Sequence, residues 1–148
     1  MPTISSGSMN YPFVVRFTDV RLRVLMHAHA HLLTWQSPLG PDPFWQLYWN
    51  PGPGAFVDFK GRSYGLGPES LILIPPETRC TTRLRHPVDH FFVHFAFENS
   101  LARVDPQAFL FGAGPTRRRL LDGVMLRGAA GALGDFAGGM LLHELILN

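Results

Sequence analysis

The chain has 148 residues, of which 46% are hydrophobic and 16% charged, with a formal net charge of +2. This length fits one domain, and the low charge content indicates that a partner covers part of the surface. The single cysteine, Cys80, excludes an internal disulfide and agrees with a reducing cytoplasm, and the scattered basic residues lack the dense basic face of a nucleic-acid binder.

The N-terminal end carries no recognisable targeting signal. Residues 1–10 are polar and small, unlike a signal peptide, and no apolar run approaches the ~20 residues that span a bilayer. We therefore expect a cytoplasmic protein without membrane contact, in which residues 1–20 form an arm or leader ahead of the folded domain.

Strand patterns then follow one another as far as Phe97. Residues 21–35 alternate in character and predict a long strand that places His27, His29 and His31 on one face. Shorter strands are predicted between turns rich in Pro and Gly, over residues 44–50, 55–59, 62–66, 71–74, 80–84 and 89–97. This succession is typical of a β-sandwich or β-barrel.

After Phe97 the pattern becomes helical. Thr116 is a suitable N-cap for a helix over residues 117–126, and a second helix with an apolar stripe is predicted over residues 130–147. An apolar helix that reaches the end of the chain indicates a dimer contact or a shortened chain. We expect residues 99–148 to form a helical segment for dimerisation or linkage.

An ordered set of motifs resembles the sensor domain of AraC-type transcription regulators. The motifs are FWQLYWN at residues 44–50, the Gly-Pro-Gly turn at 52–54, GRSYGLGP at 61–68, LILIPP at 71–76 and DHFFVHF at 89–95. The resemblance covers about residues 44–97. It implies a mainly β fold, with a cupin-type jelly-roll β-barrel over residues 21–98 followed by C-terminal α-helices.

The resemblance also implies a function. It predicts a bacterial domain that binds a small-molecule effector, such as a sugar or another small polar or aromatic compound, and that is not an enzyme and needs no cofactor. It further predicts a homodimer through the C-terminal helices. DNA would be bound only through a helix-turn-helix module that is absent from this chain.

Three strands carry the side chains that the resemblance places in the effector pocket. The predicted ligand-binding residues are Tyr48, Asn50, Thr81, His90, Phe92 and His94. Alternation puts Gln46, Tyr48 and Asn50 on one face of their strand and Trp45, Leu47 and Trp49 on the other, and the resemblance favours Tyr48 and Asn50 as facing the pocket. The alternative is that the tryptophans face inward and the polar set meets water.

A small metallocupin enzyme, an isomerase or dioxygenase, is the alternative function. Metal-binding cupins carry a His-x-His motif followed by Glu, and a Pro-x-Gly-x-x-His motif, and neither is present at the corresponding positions here. We therefore predict no metal site. The trio His27, His29 and His31 is the only support for the alternative, and His90 or His94 could add a ligand if the strands are neighbours.

Overall fold

The computed structural model describes residues 22–97 and 109–129, and these residues are mainly β. The elements in chain order are β1 (Leu22–Leu32), β2 (Trp45–Trp49), β3 (Ala55–Phe59), β4 (Arg62–Leu66), β5 (Ser70–Ile74), β6 (Thr81–Leu84), β7 (Val88–Phe97), β8 (Phe109–Gly112) and α1 (Pro115–Ala129). The first seven strands lie where the sequence patterns and turn residues predicted them, except that β1 ends at Leu32 and the predicted strand continued to residue 35.

The strands form two antiparallel sheets. The larger sheet has the order β1-β7-β2-β5-β8, and the smaller sheet has the order β4-β3-β6. This arrangement, followed by one short helix, is consistent with a jelly-roll-like sandwich, so the predicted fold class is confirmed at that level.

The hairpin between β3 and β4 shows how local chemistry sets the register. Lys60 and Gly61 have φ values of 48° and 77°. Two consecutive residues with positive φ make the type I′ turn whose twist suits a two-residue hairpin, and glycine takes that conformation without steric cost. Asp58 consequently pairs with Ser63, and Val57 with Tyr64.

An apolar cluster lies between the two sheets. Its buried members come from both sheets and from the segments beside them: Tyr48, Ala55, Val57, Leu66, Ile72, Ile74, Cys80 and Val88. The face of the larger sheet that contacts this cluster is called the inner face below.

Helix α1 covers the opposite, outer face of the larger sheet. Leu120, Leu121 and Val124 pack against buried side chains of that face, namely Leu47, Trp49, Leu71, Phe91, Val93 and Phe95. The Arg118 guanidinium anchors the helix start, since it donates to the Pro68 carbonyl oxygen at 3.1 Å and to Glu69 Oε1 at 3.3 Å. Strand β2 is therefore buried on both faces.

Two predictions about the C-terminal part were wrong in detail. Strand β8 pairs with β5 in a stretch where no strand was predicted. The helix begins at Pro115, and the Arg118 amide donates to the Gly114 carbonyl oxygen at 2.9 Å, so Gly114 takes the N-cap position in place of Thr116. The arm predicted over residues 1–20 and the helix predicted over 130–147 lie outside the described residues.

Helix α1 is the only helix of residues 22–97 and 109–129, and it is neither long nor apolar enough to cross a membrane.

Candidate functional site

Strand register decides which side chains share a face. In the β2–β7 pair, Gln46 lies opposite His94 and Tyr48 lies opposite Phe92. Directly opposed residues of antiparallel strands project to the same side of the sheet. The two strands therefore place five polar residues together on the inner face, which we call the inner polar row: Gln46, Tyr48, Asn50, His90 and His94.

The centre of the inner polar row is a buried pair of His90 and Asn50. Nδ1 of His90 lies 2.7 Å from Oδ1 of Asn50, and the two residues are 2% and 0% exposed. Because an amide oxygen can only accept, Nδ1 carries the proton and donates it. The second ring nitrogen, Nε2, is then an acceptor whenever the imidazole is neutral.

The amide nitrogen of Asn50 has no hydrogen-bond partner in the part of the chain that the structure describes. Among the buried side-chain nitrogen and oxygen atoms of the described residues, Asn50 Nδ2 is the one without a hydrogen bond. A buried donor left unpaired costs about 1–3 kcal/mol, and folded proteins keep few of them. Among the described residues, the buried Asn50 amide is therefore left with one hydrogen bond still to donate.

A chain of side-chain hydrogen bonds fixes the neighbouring part of the row. The Tyr48 hydroxyl donates to Gln46 Oε1, and Gln46 Nε2 donates to Asp42 Oδ2 at 3.2 Å. Burial raises the pKa of the Tyr48 phenol, and the nearby Asp42 carboxylate and Cys80 raise it further. Tyr48 therefore stays protonated and uncharged.

Burial also keeps both histidines of the row neutral near pH 7. It lowers the pKa of His90 to about 4, with smaller contributions from His29 and His94. It lowers the pKa of His94 as well, although the Asp42 carboxylate opposes that shift. The inner polar row therefore offers uncharged donors and acceptors, and the acid beside it is Asp42.

Aromatic rings enclose the row. The Trp35 ring centroid is 4.9 Å from that of His90 and 5.6 Å from that of Tyr48. The His94 ring lies between Phe44, at 4.6 Å, and Phe92, at 4.8 Å. Polar groups framed by apolar rings are the usual composition of a small-molecule site.

The structure brings together five of the six residues predicted to bind a ligand. Tyr48, Asn50, His90, Phe92 and His94 share the inner face, and their role in binding stays a prediction. Both faces of β2 are buried, so the polar set does not meet water and the tryptophans pack on the helix side instead.

Thr81 is the exception. It is exposed, and it lies opposite Asp58 on the outer face of the smaller sheet. The adjacent Thr82 is buried instead, and its hydroxyl donates to the Gln36 carbonyl oxygen at 2.6 Å. A shift of one residue along a strand reverses the face, so assigning Thr81 to the pocket was wrong.

Three residues lie beside the predicted set: Trp35, Phe44 and Gln46. Alternation along the predicted strand over residues 44–50 puts Phe44 and Gln46 on the same face as Tyr48, so the sequence held a signal for both, although neither was named as a ligand-binding residue. Trp35 lies beyond Leu32, where β1 ends, so alternation along the predicted strand over residues 21–35 does not show which way its side chain faces.

The histidines of β1 do not join this site. His27 lies opposite Val93, His29 opposite Phe91, and His31 opposite Asp89, so all three belong to the outer face while His90 and His94 belong to the inner one. His31 Nδ1 is instead 2.8 Å from Asp89 Oδ1 at the surface.

The idea that His90 or His94 completes a metal site with the β1 trio was therefore wrong, although β1 and β7 are neighbours. In the part of the chain that the structure describes, no group of three or more His, Cys, Asp or Glu side chains is placed to hold a metal ion.

Comparison with known proteins gives a structural likeness only. No family model matches the chain, and no curated protein does. Among solved structures, the chain is similar to a variant of apo ToxT from Vibrio cholerae, with a TM-score of 0.43 and 10% sequence identity. The likeness covers 71% of this chain and 45% of the ToxT chain, so this chain spans less than half of that protein. A likeness at this level does not carry family membership or function over to this chain.

Proposed function

We propose that the chain is a small-molecule sensor domain of the AraC type, with a cupin-like sandwich that binds an effector at the inner polar row. The observation that carries the proposal is the buried Asn50 amide, whose Nδ2 has no hydrogen-bond partner among the described residues. A structural core gains nothing from such an atom, whereas a binding site needs it. On this proposal the domain binds and signals, and it does not catalyse a reaction.

The motif order supports the AraC-type assignment. The aromatic motif falls on β2, the Tyr-containing motif on β4, the Leu-Ile motif on β5 and the His-Phe motif on β7. Two of these strands, β2 and β7, are neighbours and carry the inner polar row. The resemblance thus concerns the strands that build the candidate site.

The proposed mechanism is a shift between conformations. An effector that binds one arrangement of β2 and β7 better than another favours that arrangement. The outer faces of the same strands pack against α1, so a change at the inner polar row reaches the helix through two buried strands. The helical segment would pass the change to a dimer contact and to a DNA-binding module, which in this proposal acts in a bacterial cytoplasm.

A thermal-shift screen tests the binding function. Purified protein is heated with a panel of small polar and aromatic compounds, and a ligand at 100 times its dissociation constant stabilises the fold by about 2.7 kcal/mol. The matched control is the variant Asn50→Leu/His90→Phe, which replaces both polar side chains with apolar ones of similar shape and so removes the central pair. Compounds that act at the inner polar row raise the melting temperature of the wild type alone. Equal shifts in both proteins would place binding elsewhere.

Sedimentation velocity tests the proposed dimer. A homodimer that uses the helical segment has a twofold, self-complementary contact. In sedimentation its apparent mass rises with protein concentration towards that of two chains. A species that stays monomeric at the highest soluble concentration would contradict this part of the proposal.

A further inference from the structure

We propose that the inner polar row selects an uncharged ligand group that accepts and donates hydrogen bonds at once, a carboxamide or a hydroxyl, and that it rejects carboxylates. This inference deepens the proposed function and rests on it. The evidence for it is the set of hydrogen-bonding groups that the His90–Asn50 pair offers, together with the charged side chains around that pair.

The His90–Asn50 pair offers both kinds of hydrogen-bonding group. Asn50 Nδ2 is a donor without a partner among the described residues, and the geometry of the pair leaves His90 Nε2 as an acceptor. The pair thus shows one donor and one acceptor to its surroundings. A group that only accepts satisfies Asn50 and leaves the His90 acceptor unused, whereas a carboxamide or hydroxyl satisfies both.

The described charged side chains that act on the pKa of His90 are other histidines, His29 and His94, and no arginine or lysine is among them. A carboxylate at Asn50 would therefore be buried without a cation. Burying an unpaired charge costs far more than burying a paired one or a neutral group.

The arginines in β6 and directly after it, Arg83 and Arg85, lie on the outer face of the smaller sheet. Arg83 is held on the outer face by Asp58, with Nε to Oδ2 at 2.6 Å, and its guanidinium lies 4.7 Å from the Phe56 ring centroid. Arg85 lies against the same ring at 4.7 Å. Both cations are therefore turned away from the space between the sheets, and neither is placed to neutralise an anion there.

Nuclear magnetic resonance with three small probes tests this selectivity. Protein labelled with ¹⁵N is titrated at pH 7 with acetamide, with sodium acetate of nearly the same shape, and with ethylene glycol as the hydroxyl probe, at matched ionic strength. The readouts are the Asn50 side-chain amide and the His90 ring resonances. The variant Asn50→Leu/His90→Phe serves as control through backbone resonances of β2 and β7.

Acetamide or ethylene glycol is expected to give saturable shifts at Asn50 in the wild type, with an apparent affinity at least about tenfold above that of acetate. The variant is expected to show no saturable shift. If both neutral probes give saturable shifts, the site recognises any uncharged group that donates and accepts hydrogen bonds. If only one does, the site prefers the group of that probe, the carboxamide or the hydroxyl.

Binding of acetate at Asn50 with an affinity equal to that of acetamide would overturn the inference. The proposed binding function would still stand. Absence of any saturable shift at Asn50 would overturn the inference too. In that case the thermal-shift screen decides separately whether the chain binds a ligand at all.

Discussion

Tyr48 and Trp49 are neighbours in β2, both almost fully buried, and they face opposite sides of the larger sheet. Tyr48 packs in the cluster between the sheets, at the inner polar row, and Trp49 packs in the cluster beneath α1. Successive side chains of a strand point to opposite faces. One short strand therefore connects the candidate ligand site to the helix, and in a close-packed interior a displacement on one face is felt on the other.

The His90–Asn50 pair should behave as a unit when it is mutated. Asn50→Leu removes the unpaired Nδ2 but leaves the buried His90 N–H without its acceptor, so we expect the free energy of unfolding to fall by about 1–3 kcal/mol. Adding His90→Phe removes the second polar partner, and we expect the double variant to regain most of that loss. Urea denaturation of the wild type, both single variants and the double variant measures the coupling. Strictly additive losses would contradict this view of the pair.

Stability should fall with pH on the acid side because of His90. Its pKa is about 4 in the folded chain and 6.5 in a solvated histidine, so between these values the unfolded chain binds more protons. The contribution of neutral His90 to the free energy of unfolding is complete above pH 6.5 and is lost as the pH falls towards 4. The expected slope is about 1.4 kcal/mol per pH unit.

Denaturation midpoints measured across this pH range for the wild type and for His90→Phe isolate that contribution. The variant should show a shallower slope but keep part of it, since burial lowers the pKa of His94 as well. Identical slopes in the two proteins would show that His90 is not held neutral by the fold.

Two leucines of α1 offer a matched test of helix docking. Leu121 is 0% exposed and packs on the outer face, whereas Leu126 is 75% exposed. Leu121→Ala should cost about 2–5 kcal/mol of unfolding free energy, and Leu126→Ala should stay within about 0.5 kcal/mol of the wild type. Both substitutions change helix propensity equally, so a similar cost for the two would mean that α1 is not docked as described.

The hairpin turn can be tested with two glycines that have free space around them. A Cβ at Gly61 or at Gly67 would meet no atom within 4 Å, but only Gly61 has a positive φ, of 77°. Gly61→Ala should therefore cost about 1–2 kcal/mol through backbone strain, and Gly67→Ala should be close to neutral. Thermal unfolding compares them. Equal melting temperatures for the two variants would speak against the type I′ turn.

Local sequence signals were sufficient to place seven strands. Turns at Lys60-Gly61 and at Pro75-Pro76 bound short alternating or apolar runs, and these signals do not depend on the rest of the fold. Strand β8 was not predicted, because its apolar run, Phe109 to Phe111, is shorter than the run of about four to eight residues that indicates a buried strand. Its pairing with β5 is a tertiary contact that no local pattern contains.

The face of the sheet to which each side chain points was harder to predict than the positions of the strands. Alternation correctly grouped Tyr48 with Asn50, and His90 with Phe92 and His94. It could not decide which group faces the smaller sheet, since β2 is buried on both sides. The face of the β1 histidines depends on the β1–β7 register, which brings together residues about 60 positions apart, and only the folded sheet fixes it.

A crystal structure of the protein with a compound that raises its melting temperature tests the central claim most directly. We expect an oxygen of that compound to lie within about 3.2 Å of Asn50 Nδ2, on the inner face of the larger sheet. A compound bound elsewhere, with Asn50 Nδ2 paired to a protein atom of the domain, would contradict the assignment of the inner polar row as a ligand site.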